Sequence, residues 1–175
     1  MQSSNNRFMQ SNVALYGMFV SVALILSYIE ALIPIKMVVP GIKIGLANVL
    51  IVWVLYSMGA KSAAIVSIVR VFICGLLFGN LYTILFSLVG AILSLGIMYV
   101  LKRFTKLSVV GISVAGGVFH NLGQIIVAMI VLENVYVSFY FPVLIISGVV
   151  SGIAVGILGG ILYKKIKILQ THVHM

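Results

Sequence analysis

Apolar residues run along this chain in long unbroken blocks, separated by short polar or charged connections. Six blocks can be drawn, at about 12–33, 45–59, 62–79, 81–101, 109–132 and 139–163. Each predicts a helix. Most approach or exceed the roughly 20 residues that span a bilayer; the second and third are shorter, as expected of helices that tilt less or are broken. Strands of a transmembrane barrel would alternate polar and apolar side chains over about ten residues, whereas these runs are continuous. The pattern therefore predicts an all-α, polytopic bundle of six transmembrane helices. Its membrane domain covers 12–165, between polar tails at 1–11 and 166–175. The first block is too long for a removable signal peptide and has no small-residue cleavage site followed by a soluble domain, so it is expected to be retained.

Composition supports lipid as the main solvent. Of 175 residues, 63% are hydrophobic and 7% charged, with a mean hydropathy of +1.30; soluble domains carry about 25% charged residues. The net charge of +9 does not point to nucleic acid, because the basic residues form neither an aromatic-interleaved stripe nor a basic helix. They sit at the ends of the apolar blocks. With the N-terminus inside, Arg7, Lys61, Lys102, Arg103, Lys106, Lys164, Lys165 and Lys167 fall on the cytoplasmic side, and Lys36 and Lys43 outside. This positive-inside bias predicts both termini in the cytoplasm.

Acidic chemistry is nearly absent. Glu30 and Glu133 are the acidic residues, and there is no aspartate. Carboxylate-bound magnesium, paired-carboxylate catalysis and Asp-rich diphosphate sites all need clusters this chain cannot assemble. The single Cys74 precludes an intrachain disulfide and reads as a small buried hydrophobe. His172 and His174 belong to the C-terminal tail and read as a chain end rather than a metal site. No catalytic residue, metal ligand or cofactor is expected.

Small residues recur at helical spacing. Gly148, Gly152, Gly156 and Gly160 give the sixth block a bare backbone face. In the first block, Gly17 and Ser21 form one row, and Ala23, Ser27 and Ala31 another. These rows serve either packing within the molecule or docking on another protein. No internal repeat supports an inverted-repeat transporter.

A few polar residues are not accounted for as anchors. Arg70 lies near the middle of the third block, where a cation costs a few kcal/mol and must face the protein interior or a wet cavity. Both glutamates are expected at external helix ends. That leaves backbone carbonyls, Asn or Gln, or a bound anion as its partners. Pro34, Pro40 and Gly41 predict a shaped turn across the outer mouth before Gly45 begins the second helix. Lys43 beside that turn, and Asn48 one turn into the membrane, are candidates for contacting a ligand; Lys36 reads as a solvated interface charge. In GGVFHNLGQII, the residues His120, Asn121 and Gln124 share one helical face. That face either lines a pocket or forms interhelical hydrogen bonds. Catalysis or metal binding by His120 is disfavoured, since no carboxylate orients it and no second histidine lies in the membrane.

Taken in order, PGIKIGLANV, IVRVFICGLLFG, FSLVGAILS and GGVFHNLGQ resemble a family of small bacterial membrane proteins known by two descriptions: heptaprenyl diphosphate synthase component I and Gx transporter family. The resemblance covers about residues 12–165. The first description implies polyprenyl chain elongation, although the Asp-rich magnesium diphosphate motifs of such enzymes are missing. That leaves a non-catalytic accessory subunit as one reading. The second description fits a likeness to the substrate-binding S components of energy-coupling factor transporters. In these, six helices enclose an outward pocket capped by the first loop, and a small-residue face of the first helix docks on a transmembrane coupling protein driven by two cytoplasmic ATPases. This chain has no GxxxxGKS or GxxxxGKT loop and could not hydrolyse ATP alone. By position, Lys43, Asn48, Arg70, His120, Asn121 and Gln124 match the family motifs and are expected to bind substrate, a small amphipathic or anionic precursor, with an isoprenoid- or quinone-related one suiting the first description. Gly17, Ser21, Ala23 and Ser27 match the general character of the coupling face.

Overall fold

The computed structural model describes residues 2–33 and 44–173. Its elements in chain order are α1 (Gln2–Leu32), α2 (Leu46–Ser57), α3 (Ala60–Phe78), α4 (Leu81–Phe104), α5 (Val109–Val131), a 3₁₀ turn (Val135–Tyr140) and α6 (Phe141–Val173), with no strand among the described residues. Five helical stretches are long and apolar enough to cross a membrane: Val13–Leu32, Ala60–Phe78, Leu81–Phe104, Val109–Val131 and Val135–Ile166. The chain is a multi-pass membrane protein.

The helix boundaries follow local chemistry. Asn80 caps α4, its side-chain oxygen accepting from the Thr83 N–H at 2.9 Å, and Ser108 caps α5 by accepting from the Gly111 N–H at 3.2 Å. Gly45 precedes α2 with φ +83°, a left-handed conformation that favours glycine. Pro142 falls in the first turn of α6, where its missing N–H is no loss. Both outer helices run further than the apolar blocks predict, from Gln2 and to Val173. No glycine or proline lies before Gly17 or after Gly160 to stop either one.

The shortest helix is the most enclosed. Every residue of α2 from Leu50 to Leu55 is buried, as expected of a helix that is apolar all round. It packs against α1, α3 and α6, and its residues form the centre of a core completed by Phe19 and Ala23 of α1, Val66 of α3, Met98 of α4 and Val155 of α6. With 12 residues it falls well short of the span length, but it presents protein rather than lipid on most sides. The Trp53 ring meets Phe19 edge-on at 5.2 Å.

One end of the bundle gathers the part of α1 around Tyr16 and the part of α6 around Tyr163. There Tyr16 hydrogen-bonds Ser62 at 2.9 Å, Tyr56 packs on Tyr163 at 5.7 Å, and the Lys102 ammonium donates to the Leu55 carbonyl at 2.7 Å. Lys102 thus closes the C-terminal turn of α2, where a cation also meets the negative end of the helix dipole.

In lipid, where apolar burial does not drive helices together, close backbone contact does. A Cβ on Gly123 of α5 would come 2.8 Å from Gly90 Cα of α4, and one on Gly152 of α6 would come 2.6 Å from Val114 Cα of α5. One on Gly117 would collide with the Gly148 carbonyl oxygen, whereas Gly17 has nothing within 4 Å and Gly160 has only ordinary contacts. The glycine row predicted in the sixth block is therefore the α5–α6 seam up to Gly156. We expect Gly117→Ala and Gly152→Ala each to destabilise by about 1–3 kcal/mol, seen as lower thermal-denaturation midpoints in detergent. Gly17→Ala and Gly160→Ala should leave the midpoint unchanged or raised, because only the helix-propensity gain remains.

Candidate functional site

All six helices contribute to one cavity of about 170 Å³ at the centre of the bundle. It occupies the half that holds the C-terminal end of α1 and the start of α2. Among the described residues, its wall brings together Asn48, Arg70, His120, Asn121 and Gln124, residues separated by up to 76 positions in sequence. The remaining substrate-binding expectation, Lys43, lies outside the described residues, as does Lys36.

Arg70 sits between α2 and α3. Its Nη2 donates to Asn48 Oδ1 at 3.3 Å, while its Nε is buried and has no hydrogen-bond partner among the described residues. A guanidinium offers five N–H donors, and a buried donor without an acceptor costs free energy until something accepts from it. Asn48 is thus the kind of partner expected for this arginine.

Glu30 stands in the last turn of α1, at a helix end as expected, but it is not remote from Arg70, for both line the same cavity. Its Oε1 accepts from the Gly45 N–H at 2.8 Å, tying the end of α1 to the entry of α2. The reason is rotational: Glu30 follows Ala23 and Ser27 at helical spacing, and Ala23 is wholly buried while Ser27 lines the cavity.

That stripe also divides the small residues of α1. Ala23 and Ser27 face the interior, where they pack the core and line the cavity. Gly17 and Ser21 are on the outer surface, with the Ser21 hydroxyl bonded back to the Gly17 carbonyl at 2.9 Å. Of the two predicted rows, Gly17, Ser21 and Ala31 are exposed, Ser27 is partly so and Ala23 is buried.

On α5 the polar triad divides its roles. Asn121 is buried and its Nδ2 donates to the Leu144 carbonyl of α6 at 2.7 Å, which fastens the two helices. His120 lies against Gly90 of α4: a Cβ there would stand 3.0 Å from the ring nitrogen Nδ1. Gln124 lines the cavity one turn beyond. Asn121 thus makes an interhelical bond and also stands on the cavity wall with His120 and Gln124.

Hydroxyls supply much of the remaining polar wall: Ser67 of α3, Thr83, Ser87 and Ser94 of α4, Ser113 of α5 and Ser151 of α6. Sequence reasoning overlooked them. The legible signal was the small or polar row Thr83, Ser87, Ala91 and Ser94, one face of a helix otherwise apolar. Phe78 is the one phenylalanine, tyrosine or tryptophan among the lining residues. Among the described residues no three His, Cys, Asp or Glu side chains gather as a metal site would require.

The family model described as heptaprenyl diphosphate synthase component I matches residues 19–162. The chain belongs to this family. The matched span takes in every helix that lines the cavity and nearly all of its wall, so the family's shared sequence covers the core, the α5–α6 seam and the site together. No curated protein and no solved structure matches the chain.

Removing the Asn121 bond by Asn121→Ala should cost about 1 kcal/mol, the usual worth of an interhelical hydrogen bond in a membrane. A drop in the thermal midpoint with the cavity's ligand affinity kept within about twofold would fit that fastening role; an affinity loss of tenfold or more would show that Asn121 reaches the ligand.

Proposed function

We propose that this protein is the membrane-embedded substrate-binding subunit of an uptake system of the energy-coupling factor type, with a bundle like that of an S component. The observation that carries the reading is the central cavity with Arg70 on its wall, where Nη2 bonds Asn48 and Nε has no hydrogen-bond partner among the described residues. A guanidinium has five N–H donors, so a cation at this depth of a membrane helix is suited to a bound acceptor for the donors that Asn48 leaves over. Arg70 and Lys43 would attract an anionic group, and Asn48, His120 and Gln124 would fix its orientation.

The volume bounds the ligand. A cavity of about 170 Å³ is close to the roughly 150 Å³ that admits a benzene-sized molecule, so it suits a compact substrate or the head of a longer one rather than a whole prenyl chain. With two carboxylates in the entire sequence, the reading is one of binding without catalysis. The basic residues would hold both termini in the bacterial cytoplasm, with six spans in all. Gly17 and Ser21 would face the coupling protein, through which two cytoplasmic ATPases reorient the subunit.

The family description favours a second reading. In it the chain is a non-catalytic membrane accessory of polyprenyl diphosphate synthesis, recruiting a soluble synthase component to its lipidic product.

Native mass spectrometry of the gently solubilised protein separates the two. On the first reading a small bound molecule accompanies the wild-type protein and is lost from Arg70→Ala and His120→Ala, with affinity down tenfold or more, about 1.4 kcal/mol. A coupling protein and ATPases should be recovered by affinity capture from membranes. Capture of a synthase component with no ATPase, together with an empty spectrum, would establish the accessory role instead.

A further inference from the structure

The cavity is not simply cationic. Arg70 and Glu30 line it together. Each also retains hydrogen-bonding capacity. Arg70 uses Nη2 on Asn48 and leaves Nε without a partner among the described residues, while the only bond shown for Glu30, to the Gly45 N–H, takes one of about four acceptor positions of a carboxylate. The formal charges of these two groups cancel. A ligand that was only an anion would gain from Arg70 and be repelled by Glu30 in a setting of low dielectric, where both effects are strong. A ligand that was only a cation would meet the reverse.

Resting on the binding role above, we propose that the cavity selects a compact zwitterion, its anionic end on Arg70 and its cationic or N–H-rich end on Glu30. The hydroxyls of Ser27, Ser67, Ser87 and Ser94 also line the cavity, beside apolar residues such as Ile51, Val71 and Leu95, which suits a compact ligand with polar ends and an apolar body. Such a ligand brings both counter-charges in one molecule, so neither buried group is left facing a like charge. This narrows the substrate class away from simple anions such as a diphosphate, and toward amino-acid-like or betaine-like molecules.

The test uses three probes built on one benzene ring, on the full-length protein in lipid nanodiscs: benzoate, benzamidine and para-(aminomethyl)benzoate. Calorimetric titration should give the zwitterionic probe a Kd at least about tenfold lower than either singly charged one. Arg70→Gln and Glu30→Gln should each remove that advantage, the first then favouring benzamidine and the second benzoate. Cys74 is the sole cysteine and lines the cavity, so protection of its thiol from methyl methanethiosulfonate places bound probe inside. If Glu30→Gln fails to fold because its bond to Gly45 is weakened, the wild-type ranking alone decides. Equal or tighter binding of benzoate overturns the proposal in favour of an anion site, and tighter binding of benzamidine overturns it in favour of a cation site. If no probe binds, the zwitterion class fails; the binding role survives only where native mass spectrometry still finds a small molecule that Arg70→Ala releases.

Discussion

A guanidinium carried on a membrane-crossing helix must find its solvation inside the protein, because hydrocarbon offers it none. Insertion of such a group costs about 2.5–3.5 kcal/mol even on the mildest scales, and Arg70 is the point around which the interior of this bundle is organised. Asn48 accepts from it, and a cavity that Glu30 also lines opens beside it. The carboxylate in turn holds the Gly45 N–H, so the electrostatic centre also sets where α2 enters. A chain with 7% charged residues has placed one cation and one anion of its small supply at a single internal site.

The surrounding architecture keeps that site enclosed. α2 is too short to span and is buried on most sides, acting as an internal wall rather than a lipid-facing strut. α4, α5 and α6 approach one another through glycine at Gly90, Gly117, Gly123, Gly148 and Gly152, which brings backbones close where lipid offers no hydrophobic drive for association. Near these crossings the interior faces of the same helices carry hydroxyls. The glycine seams and the polar lining occupy neighbouring stripes of helices that are otherwise apolar.

Most of this was legible from one-dimensional pattern, and the failures have a common cause. Unbroken apolar blocks located all six helices, the inner four within a few residues at both ends, and their charged ends located the basic end of the bundle. The helical spacing of His120, Asn121 and Gln124 put them on one wall, and the depth of Arg70 within its segment marked it as internal. Rotation was not legible. α1 is apolar on nearly every side, so nothing in its sequence says which stripe turns inward; Glu30 read as an interface residue, and Ala23 and Ser27 read as potential docking surface. The serines went unnoticed for a related reason. A hydroxyl in a membrane helix can bond the carbonyl one turn back, as Ser21 does with Gly17, so its presence alone does not reveal a polar cavity. The reach of α1 and α6 beyond their apolar blocks was missed because polarity marks where lipid ends, whereas the backbone stops only at a breaker.

Trp53 is the single tryptophan of the chain, buried where α1 meets α2 and set edge-on against Phe19. Its emission therefore arises from one place, two turns along α2 from Asn48 and Gly45. Any rearrangement that slides α1 past α2 would change the ring's surroundings and with them the colour and intensity of its fluorescence. The protein thus contains its own optical gauge of the helix pair that the Glu30 bond holds in register, readable without a label in detergent or in a bilayer.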